Sequence, residues 1–497
     1  MLLHDNLYCN YKINPEKIAI YDGERQFRYD QLIRDSKSIS REISSRGLIK
    51  GDRVIILLEN SYEFVISLYG ILSCGCVFIP LNPKLSKNKI NFIIEDTQAA
   101  LIITSKKLST TNYESISKIP LIVIEEQSFD KELINNSLNI IDRDIAAILY
   151  TSGSTGMPKG VTLSHLNMVT ALRSINEYLK NTDSEIIINI LPFSFDYGIY
   201  QIFLSFFCGG TLVIHNDIIF FSKVIETINK RRVTAFPIVP ALGNILLRLN
   251  PDPKMLVSLR YITNTAQRLP EPLIFSLKKM LPDVEIYSMY GLTECKRISY
   301  LDPEKILVKP GSVGKPMPNV EVFLVDDEGM RISKPNTQGY LVVRGSNVMM
   351  GYWNKEEDTN KILKMGYYPM EKVLFTGDIF QFDEDGDLYF IARMDDIFKV
   401  GGQKVSPAEI ESALLEYTNI REAAVIGEYD ELLGNRITAI VVINGEVSVN
   451  EIKMFLRERL EDHLVPKEIH VTSFIPKNSN GKIDKMELIK KYAKKAQ

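Results

Sequence analysis

The segment from Tyr150 to Gly160 has the residue types that bind phosphate. It contains three glycines and four serine or threonine residues, and it follows the apolar run 145–149, which predicts a buried strand. Glycine lets a backbone approach an anion closely, while hydroxyl and backbone N–H groups donate hydrogen bonds and Lys159 adds positive charge. Because Lys159 lies between Pro158 and Gly160, the segment is not the G-x-x-x-x-G-K-[ST] loop of nucleotide hydrolases. We predict a phosphate-binding loop; the alternative is an ordinary Gly/Ser surface turn.

Three later segments could contribute to the same chemistry. Tyr290 and Glu294, in the segment 288–294, offer an aromatic face for a base and a carboxylate for Mg²⁺. Asp378 ends a predicted Gly-Asp turn and could accept hydrogen bonds from ribose hydroxyls. Lys482 lies in a hairpin-like turn near the C-terminus. Each segment alone also fits a routine loop or surface residue.

Size and composition limit the class of protein. The chain has 497 residues, of which 45% are hydrophobic and 24% charged, so it is globular with room for two or more domains. A net charge of −3 gives no reason to expect a nucleic-acid or membrane partner. The five cysteines fit neither a disulfide framework nor a metal site, and the first ten residues do not resemble a signal peptide. We expect a cytoplasmic protein with reduced cysteines.

The elements that must position these residues alternate between strand-like and helix-like segments. This alternation predicts an α/β fold of layered subdomains with mostly parallel strands. After residue 311 short strands predict a small antiparallel, barrel-like subdomain, and after 393–396 a compact α+β pattern follows. We predict strands at 17–21, 53–58, 77–80, 100–104, 186–191, 211–215, 235–239, 259–264 and 284–289, and helices at 29–45, 62–73, 163–178, 199–207 and 219–231.

The order of the motifs is more specific than any one of them. S-G-S-T-G-x-P-K-G is followed by Y-G-x-T-E, T-G-D, R-x-D-D-x-x-K-x-G-G-x-K-V-x-P-x-E-I-E and P-K-x-x-x-G-K-I-D. This series resembles the adenylate-forming superfamily, which comprises acyl-CoA synthetases, adenylation domains of nonribosomal peptide synthetases and firefly luciferase. The resemblance covers the whole chain, including Gly351-Tyr-Trp353. It implies a large N-terminal domain, 1–394, and a small mobile C-terminal domain, 395–497, with the active site between them.

The resemblance also implies roles for individual residues, with ATP and Mg²⁺ as cofactors. Glu294 would bind Mg²⁺, Tyr290 would stack near adenine, and Asp378 with Arg393 would contact the ribose. Lys482 would reach the carboxylate and the α-phosphate, and Asp395 would be the hinge. Lys482, Glu294, Thr151 and Thr293 form the implied catalytic set, and the nucleotide-binding set further includes Ser152, Gly153, Ser154, Thr155, Gly156, Lys159 and Gly291. Ala392 is a departure, since the family usually has glycine before this arginine.

The acid pocket is predicted from a second group of positions. Asp196, after Phe195, resembles the amino-acid-activating branch, in which an aspartate here pairs with the substrate ammonium. A buried carboxylate needs a cation close by, which could be the substrate or a protein side chain. Lys296 and Arg297, on a predicted pocket-lining strand, suit a substrate with a second carboxylate or another polar acceptor; the alternative is an internal ion pair between Asp196 and Arg297. The other predicted wall positions are Tyr197, Pro237, Thr263, Thr265, Met289 and Ile298.

These features predict an ATP-dependent, Mg²⁺-requiring, AMP-forming ligase for a small polar carboxylic acid. We expect an amino acid, including the β-amino and acidic types, passed to the phosphopantetheine thiol of a separate carrier protein. The alternative is an acyl-CoA ligase for an acid without an amino group, with coenzyme A as the acceptor. A non-catalytic member of the family, acting as a binding partner, is a third possibility, against which the presence of Lys159, Glu294, Asp378 and Lys482 argues.

Overall fold

The structure is a computed structural model that describes residues 1–109, 119–127, 129, 139–151, 157–216, 220–265, 267–400, 403–430, 434–477 and 483–492. Its helices are α1 (Asp5–Ile13), α2 (Tyr29–Ser45), α3 (Tyr62–Ser73), α4 (Lys87–Thr97), α5 (Lys106–Ser109), α6 (His165–Leu179), α7 (Asp196–Phe207), α8 (Phe221–Arg231), α9 (Pro240–Leu249), α10 (Glu271–Met280), α11 (Glu356–Ile362), α12 (Pro407–Leu415), α13 (Val449–Arg457) and α14 (Lys485–Tyr492).

The strands alternate with these helices in the first two thirds of the chain and then follow one another directly. They are β1 (Ile18–Asp22), β2 (Arg25–Arg28), β3 (Arg53–Leu57), β4 (Val77–Pro80), β5 (Leu101–Thr104), β6 (Leu121–Val123), β7 (Ile145–Thr151), β8 (Lys159–Ser164), β9 (Ile186–Asn189), β10 (Thr211–Ile214), β11 (Ala235–Ile238), β12 (Tyr261–Asn264), β13 (Glu285–Tyr290), β14 (Ser299–Tyr300), β15 (Lys315–Pro316), β16 (Val320–Val325), β17 (Arg331–Ile332), β18 (Gly339–Gly345), β19 (Gly351–Tyr352), β20 (Leu363–Met365), β21 (Lys372–Phe382), β22 (Leu388–Arg393), β23 (Phe398–Val400), β24 (Gln403–Val405), β25 (Ile420–Asp430), β26 (Gly434–Ile443) and β27 (Glu468–Val471).

Two sheets with parallel centres form the body of the molecule. Among the described residues, one sheet has the order β15-β14-β13-β12-β11-β9-β10-β1-β2 and the other the order β19-β8-β7-β4-β3-β5-β6. The neighbouring strands β9 to β13 run parallel, so their carboxyl ends meet at one edge. Residues of α2, α3, α6 and α7 share one buried apolar cluster with residues of both sheets, which places these helices in the core between them. The predicted layered α/β architecture is confirmed.

Apolar spacing explains why the predicted helices form. Helices α2 and α3 have the bounds that the sequence predicts. Helix α2 alternates apolar and charged residues with helical spacing and buries Leu32, Ile33, Ile39 and Ile43 on one face. Helix α3 is apolar on all sides and is buried along most of its length. The longest helix described, α2, has 17 residues, and no helix in the described part of the chain is long and apolar enough to cross a membrane.

A capping box begins α6 and ties it to the neighbourhood of β19. Ser164 Oγ accepts a hydrogen bond from the backbone N–H of Asn167, whose Oδ1 accepts from the N–H of Ser164. The Asn167 Nδ2 group donates to the carbonyls of Ser346 and Val348, both at 2.8 Å. A residue that satisfies a helix end therefore also fixes the chain that leads into Gly351 and Tyr352.

Two local predictions are wrong. Helix α7 begins at Asp196 instead of residue 199, so Asp196 occupies its first turn. The segment that ends at Asp378 is not a turn but part of the long strand β21. In its pairing with β18, Phe375 lies opposite Val342 and Ile379 opposite Tyr340, so extra residues of β21 form a bulge. Gly377, in this bulge, has φ of 75°, a backbone angle that glycine adopts easily and residues with a side chain rarely adopt.

A small α+β domain follows β22. Its sheet has the order β25-β26-β27 and packs against α12 and α13 in a separate apolar cluster. Contacts to the larger domain include the hydrogen bond from Arg268 Nη1 to Ser412 Oγ, 3.0 Å long. Asp395 lies in a short 3₁₀ turn, Met394–Asp396, between β22 and β23. This position agrees with a hinge, but the boundary at 394 and 395 stays a prediction.

Two buried histidines hold the N-terminal segment on α6. His4 and His165 are 7% and 1% exposed, and their ring centroids lie 5.8 Å apart. The backbone N–H of Leu3 donates to His165 Nδ1 at 3.1 Å, so this nitrogen must be unprotonated. Burial lowers the pKa of His4 to about 4, against the opposing charge of Asp5. Burial, together with the nearby His4, lowers the pKa of His165 to about 3.

These histidines predict a loss of stability in mild acid. Their folded pKa values lie below the unfolded value of about 6.5, so the stability from neutral histidine is complete above that pH and falls as pH drops towards 4 and 3. Each pH unit below 6.5 should cost roughly 1.4 kcal/mol per histidine. The His165→Asn variant keeps an acceptor for Leu3 but cannot titrate, so its unfolding free energy should fall less steeply between pH 7 and 5. His463→Asn, in the C-terminal domain, is the control; an unchanged slope in His165→Asn would contradict this assignment.

Candidate functional site

The two ends of the predicted phosphate loop are strands of one hairpin. Strands β7 and β8 pair antiparallel, with Thr151 opposite Lys159. Thr151 Oγ1 donates to the Lys159 carbonyl at 3.5 Å, a long hydrogen bond across the mouth of the loop. Ser152, Gly153, Ser154, Thr155 and Gly156 lie outside the described residues. The strands thus fix where the loop starts and ends, and Lys159 leaves it on β8.

Tyr352 connects Lys159 with Glu294. Its hydroxyl donates to Glu294 Oε1 at 2.7 Å, and Lys159 Nζ lies 5.1 Å from the centre of its ring. Burial and the Glu294 carboxylate raise the pKa of Tyr352, so the phenol stays protonated and remains a donor. Lys159 Nζ also lies 3.2 Å from Asp358 Oδ2, on α11. A cation and a carboxylate predicted to face the phosphates are therefore positioned by one tyrosine.

Backbone hydrogen bonds hold Tyr352 in this place. Strand β19 pairs with β8, and the N–H of Trp353 donates to the Gly160 carbonyl at 2.7 Å. The N–H of Met349 donates to the Glu294 carbonyl at 2.8 Å. The segment 349–353 therefore joins the loop that carries Glu294 to the hairpin that carries Lys159. Thr293 is half-buried in the same loop.

A buried carboxylate forms the predicted ribose site. Asp378 is 1% exposed; Tyr290 donates its hydroxyl proton to Asp378 Oδ2, and Arg393 Nε donates to Oδ1 at 3.0 Å. Burial raises the pKa of Asp378, and the charge of Arg393 opposes this shift. The Tyr290 ring lies edge-on to Phe380, with centroids 4.7 Å apart. The structure thus brings Tyr290, Asp378 and Arg393 together, as the sequence predicts.

Gly291 allows the chain to turn sharply after Tyr290. A Cβ atom at this position would lie 2.2 Å from the Lys296 carbonyl oxygen, so the loop could not close with another residue. The predicted strand through Cys295, Lys296 and Arg297 is wrong, because these residues belong to the loop between β13 and β14. Lys296 has φ of 63°, in the left-handed region, which ends any regular strand here.

The predicted wall positions of the acid pocket lie on α7 or near the carboxyl ends of neighbouring strands. Pro237 and Thr263 are opposite each other on β11 and β12, and the Tyr197 hydroxyl lies 2.6 Å from Thr263 Oγ1. Tyr178 donates its hydroxyl proton to Met289 Sδ at 3.1 Å. Ile298 and Thr265 are buried at the carboxyl-terminal side of the same sheet. Every predicted wall residue is therefore buried or paired at this edge.

Lys296 is the cation that compensates Asp196. Its side chain is 4% exposed, and Nζ donates to the Asp196 carbonyl at 2.7 Å and lies 3.4 Å from Oδ2. The ammonium also lies over the Tyr200 ring, 4.1 Å from its centre. Burial lowers the pKa of Lys296 to about 7; Arg297 lowers it too, and Asp196 opposes both. In the described part of the chain no ion pair joins Asp196 to Arg297, so the internal pair exists but with a different base.

Among the residues that the structure describes, buried Arg297 has no anionic partner. It is 2% exposed, and within the described residues its Nε and Nη1 atoms make no hydrogen bond. The guanidinium lies 5.5 Å from the centre of the Tyr197 ring. Burial raises the pKa of Tyr178 to about 12, and the positive charge of Arg297 opposes this rise. A buried guanidinium with unused donors is costly unless a ligand accepts from it.

Several residues of the site were not predicted. Tyr352 belongs to the Gly351-Tyr-Trp353 motif, so the signal was present without an assigned role. Asp358, Tyr178 and Tyr200 lie outside the motifs, on helices, where nothing in the sequence marks the side that faces the pocket. Lys482 falls outside the described residues, and its role stays a prediction.

Comparisons with known proteins place the chain in a family. The protein-family model described as AMP-binding enzyme matches residues 10–353. The family model described as AMP-binding enzyme C-terminal domain matches residues 409–482. Bacitracin synthase 1 of Bacillus licheniformis is 29% identical over 95% of this chain, but the chain spans only 9% of that protein's length. The 2-succinylbenzoate–CoA ligase of Bacillus pumilus is 30% identical over 96% of this chain and 95% of its own.

A solved structure supports the same assignment. O-succinylbenzoate coenzyme A synthetase of Bacillus subtilis, in complex with ATP and magnesium ion, superposes with a TM-score of 0.86 at 29% identity, over 96% of this chain and 98% of its own. Together the two matched family models cover most of the large domain and most of the small one. This chain belongs to the AMP-binding, adenylate-forming family of enzymes.

Proposed function

We propose that this protein adenylates a small carboxylic acid that carries a second polar acceptor, and transfers the acyl group to a phosphopantetheine thiol. The enzyme is AMP-forming and uses ATP with Mg²⁺. The observation that carries the substrate class is Arg297, a buried guanidinium beside the predicted acid pocket, whose Nε and Nη1 have no acceptor in the described part of the chain. A second carboxylate, or another strong acceptor, would supply its missing hydrogen bonds in a planar, two-pronged geometry.

The residues at the nucleotide end fit Mg²⁺ and triphosphate. Glu294 offers a half-buried carboxylate oxygen, a ligand type that Mg²⁺ prefers, and within the described residues its Oε2 atom accepts no hydrogen bond. When bound there, Mg²⁺ neutralises phosphate charge. Lys159 adds a cation at the exit of the phosphate loop, and Asp378 with Arg393 supplies an acceptor and a donor for sugar hydroxyls.

The first half-reaction follows from these groups. A carboxylate approaches an α-phosphate poorly because both are anions, so attack requires positioned positive charge. Lys482, by its motif, would bridge the two, and the oxygen of the carboxylate displaces pyrophosphate to leave an acyl adenylate. The thiol then attacks the acyl carbon and AMP leaves. The small domain after Asp395 would rotate between the two steps.

A second candidate function is the adenylation of an amino acid and its transfer to a carrier protein. Asp196 favours it, because this carboxylate begins α7 beside the pocket with its side chain 13% exposed. The similarity to peptide synthases such as bacitracin synthase 1 is consistent with this reading. The similarity to 2-succinylbenzoate–CoA ligase is equally consistent with coenzyme A as the acceptor and an acid without an amino group. The two candidates differ in what Asp196 binds.

The Arg297→Gln variant tests the substrate class. In pyrophosphate exchange, the wild type should prefer succinate and glutarate over butyrate and valerate, and the variant should lose this preference by roughly 30-fold or more, since a buried charge pair is broken. Arg297→Lys should keep part of it. Arg173→Gln, on the exposed face of α6, is the control. A wild-type preference for unsubstituted fatty acids, or an unchanged preference in Arg297→Gln, would sink the proposal.

The Tyr352→Phe variant tests the metal side. Removing the hydroxyl leaves the ring beside Lys159 but frees Glu294, so the Mg²⁺ concentration for half-saturation should rise about tenfold, as for other partners of metal ligands. Trp353, the only tryptophan of the chain, reports binding of MgATP by fluorescence without turnover. Tyr367→Phe, at an exposed position, is the control. Equal Mg²⁺ dependence in both variants would remove Tyr352 from this role.

The Lys482→Ala variant tests the predicted catalytic lysine. Adenylate formation should fall about 10²–10³-fold, the usual effect of losing one well-placed charge in a transition state. Binding of MgATP, followed by Trp353 fluorescence, should be nearly unchanged because Lys482 acts on the reacting groups. The comparison variant is Lys490→Ala, on the exposed side of α14. Adenylation close to the wild-type rate would show that another residue supplies this charge.

A further inference from the structure

The loop between β13 and β14 directs a lysine into the acid pocket. Lys296 has a left-handed backbone, with φ of 63°, and its side chain is 4% exposed. A residue with a Cβ atom is strained in this conformation, which persists only where the surroundings enforce it. Here the enforcing contacts are the close approach of Gly291 to the Lys296 carbonyl and the hydrogen bond from Nζ to the Asp196 carbonyl.

Lys296 Nζ already lies beside Asp196, where a substrate ammonium would have to bind. The ammonium is 3.4 Å from Asp196 Oδ2, 2.7 Å from the Asp196 carbonyl and 4.1 Å from the centre of the Tyr200 ring. These are the contacts that a substrate ammonium next to Asp196 would need. The space is filled whether the nitrogen is protonated or not, since a neutral amine can also donate to the carbonyl.

The charges of the residues around the predicted acid pocket also disfavour a substrate ammonium. Asp196 contributes one negative charge, and Lys296 and Arg297 one positive charge each when protonated, all of them at least four-fifths buried. One positive charge therefore remains without an anionic partner in the described ranges. An acid with an ammonium group would add a second, whereas an acid with a second carboxylate would neutralise the first.

We propose that Lys296 is a specificity-determining residue that occupies Asp196 as an internal ammonium, so that the enzyme rejects amino acids and accepts acids without an amino group. This inference rests on the proposed function and chooses between its two candidates. It accounts for an aspartate typical of amino-acid-activating relatives in a pocket that also holds two bases. The lysine performs within the protein the pairing that the substrate performs in those relatives.

The test compares acids that differ only by an amino group. Succinate is paired with aspartate, and propionate with β-alanine, in pyrophosphate exchange by the full-length enzyme. The wild type should prefer the acid without the amino group in each pair. Lys296→Met exposes the Asp196 carboxylate, so the ratio should shift towards the amino acid by roughly tenfold or more, because like charges no longer meet. Lys230→Met, a surface lysine that pairs with Glu24, should leave the ratio unchanged.

Two further variants identify the cause of the shift. Adding Asp196→Asn to Lys296→Met should abolish the gain with amino acids, since the carboxylate that binds their ammonium is gone. Lys296→Gln keeps a donor for the Asp196 carbonyl and removes the charge, so it should shift the ratio in the same direction. It replaces Lys296→Met if that variant does not fold. Thermal unfolding confirms that each assayed variant is folded.

The outcomes separate this inference from the proposed function. A wild-type preference for aspartate over succinate, or ratios that neither Lys296→Met nor Lys296→Gln alters, would overturn the role of Lys296 even if Arg297 governs the second acceptor. An unchanged substrate preference in Arg297→Gln, or a wild-type preference for unsubstituted fatty acids, would instead contradict the proposed substrate class. A shift that survives Asp196→Asn would also overturn the pairing argued here.

Discussion

Burial of charge is the constraint on which both ends of the active site depend. A carboxylate removed from water needs a cation or hydrogen-bond donors, and three carboxylates of the site have at least one such partner. Asp378 has Arg393 and Tyr290, Asp196 has Lys296, and Glu294 has the Tyr352 hydroxyl. Arg297 is different, since its Nε and Nη1 donors are unused within the described residues. The compensated groups hold the architecture together, whereas the uncompensated one is available to a ligand.

One short segment carries residues predicted to act on both the nucleotide and the acid. Tyr290 is predicted to lie at the nucleotide, Glu294 at the phosphates, and Lys296 with Arg297 at the acid, all within eight residues. The close approach at Gly291 fixes the fold of this segment, and the hydrogen bond from Met349 holds its centre. A shift of this segment would therefore displace the predicted metal ligand and the predicted acid-binding residues together.

The sequence predicts the regular elements well and the irregular ones poorly. Helices α2 and α3 have their predicted ends because long runs with helical spacing leave little choice. The bulge at Asp378 and the loop at Lys296 were predicted as a turn and a strand, since both depend on backbone angles set by contacts from distant segments. The motif residues Tyr290, Asp378 and Arg393 do meet, and their nucleotide-binding roles stay predictions. Roles that depend on side-chain partners, such as that of Asp196, could not be read from spacing.

Asp196 shows why a motif residue alone does not define a substrate. In the sequence it resembles an ammonium-binding aspartate, and its position at the start of α7 agrees with that role. Its partner, Lys296, lies one hundred residues later, in a loop whose conformation no local pattern predicts. If the partner is internal, the same carboxylate that would attract an amino acid instead anchors a cation against it. The meaning of the aspartate is then decided by the net charge of the buried group around it, and here that net charge is positive.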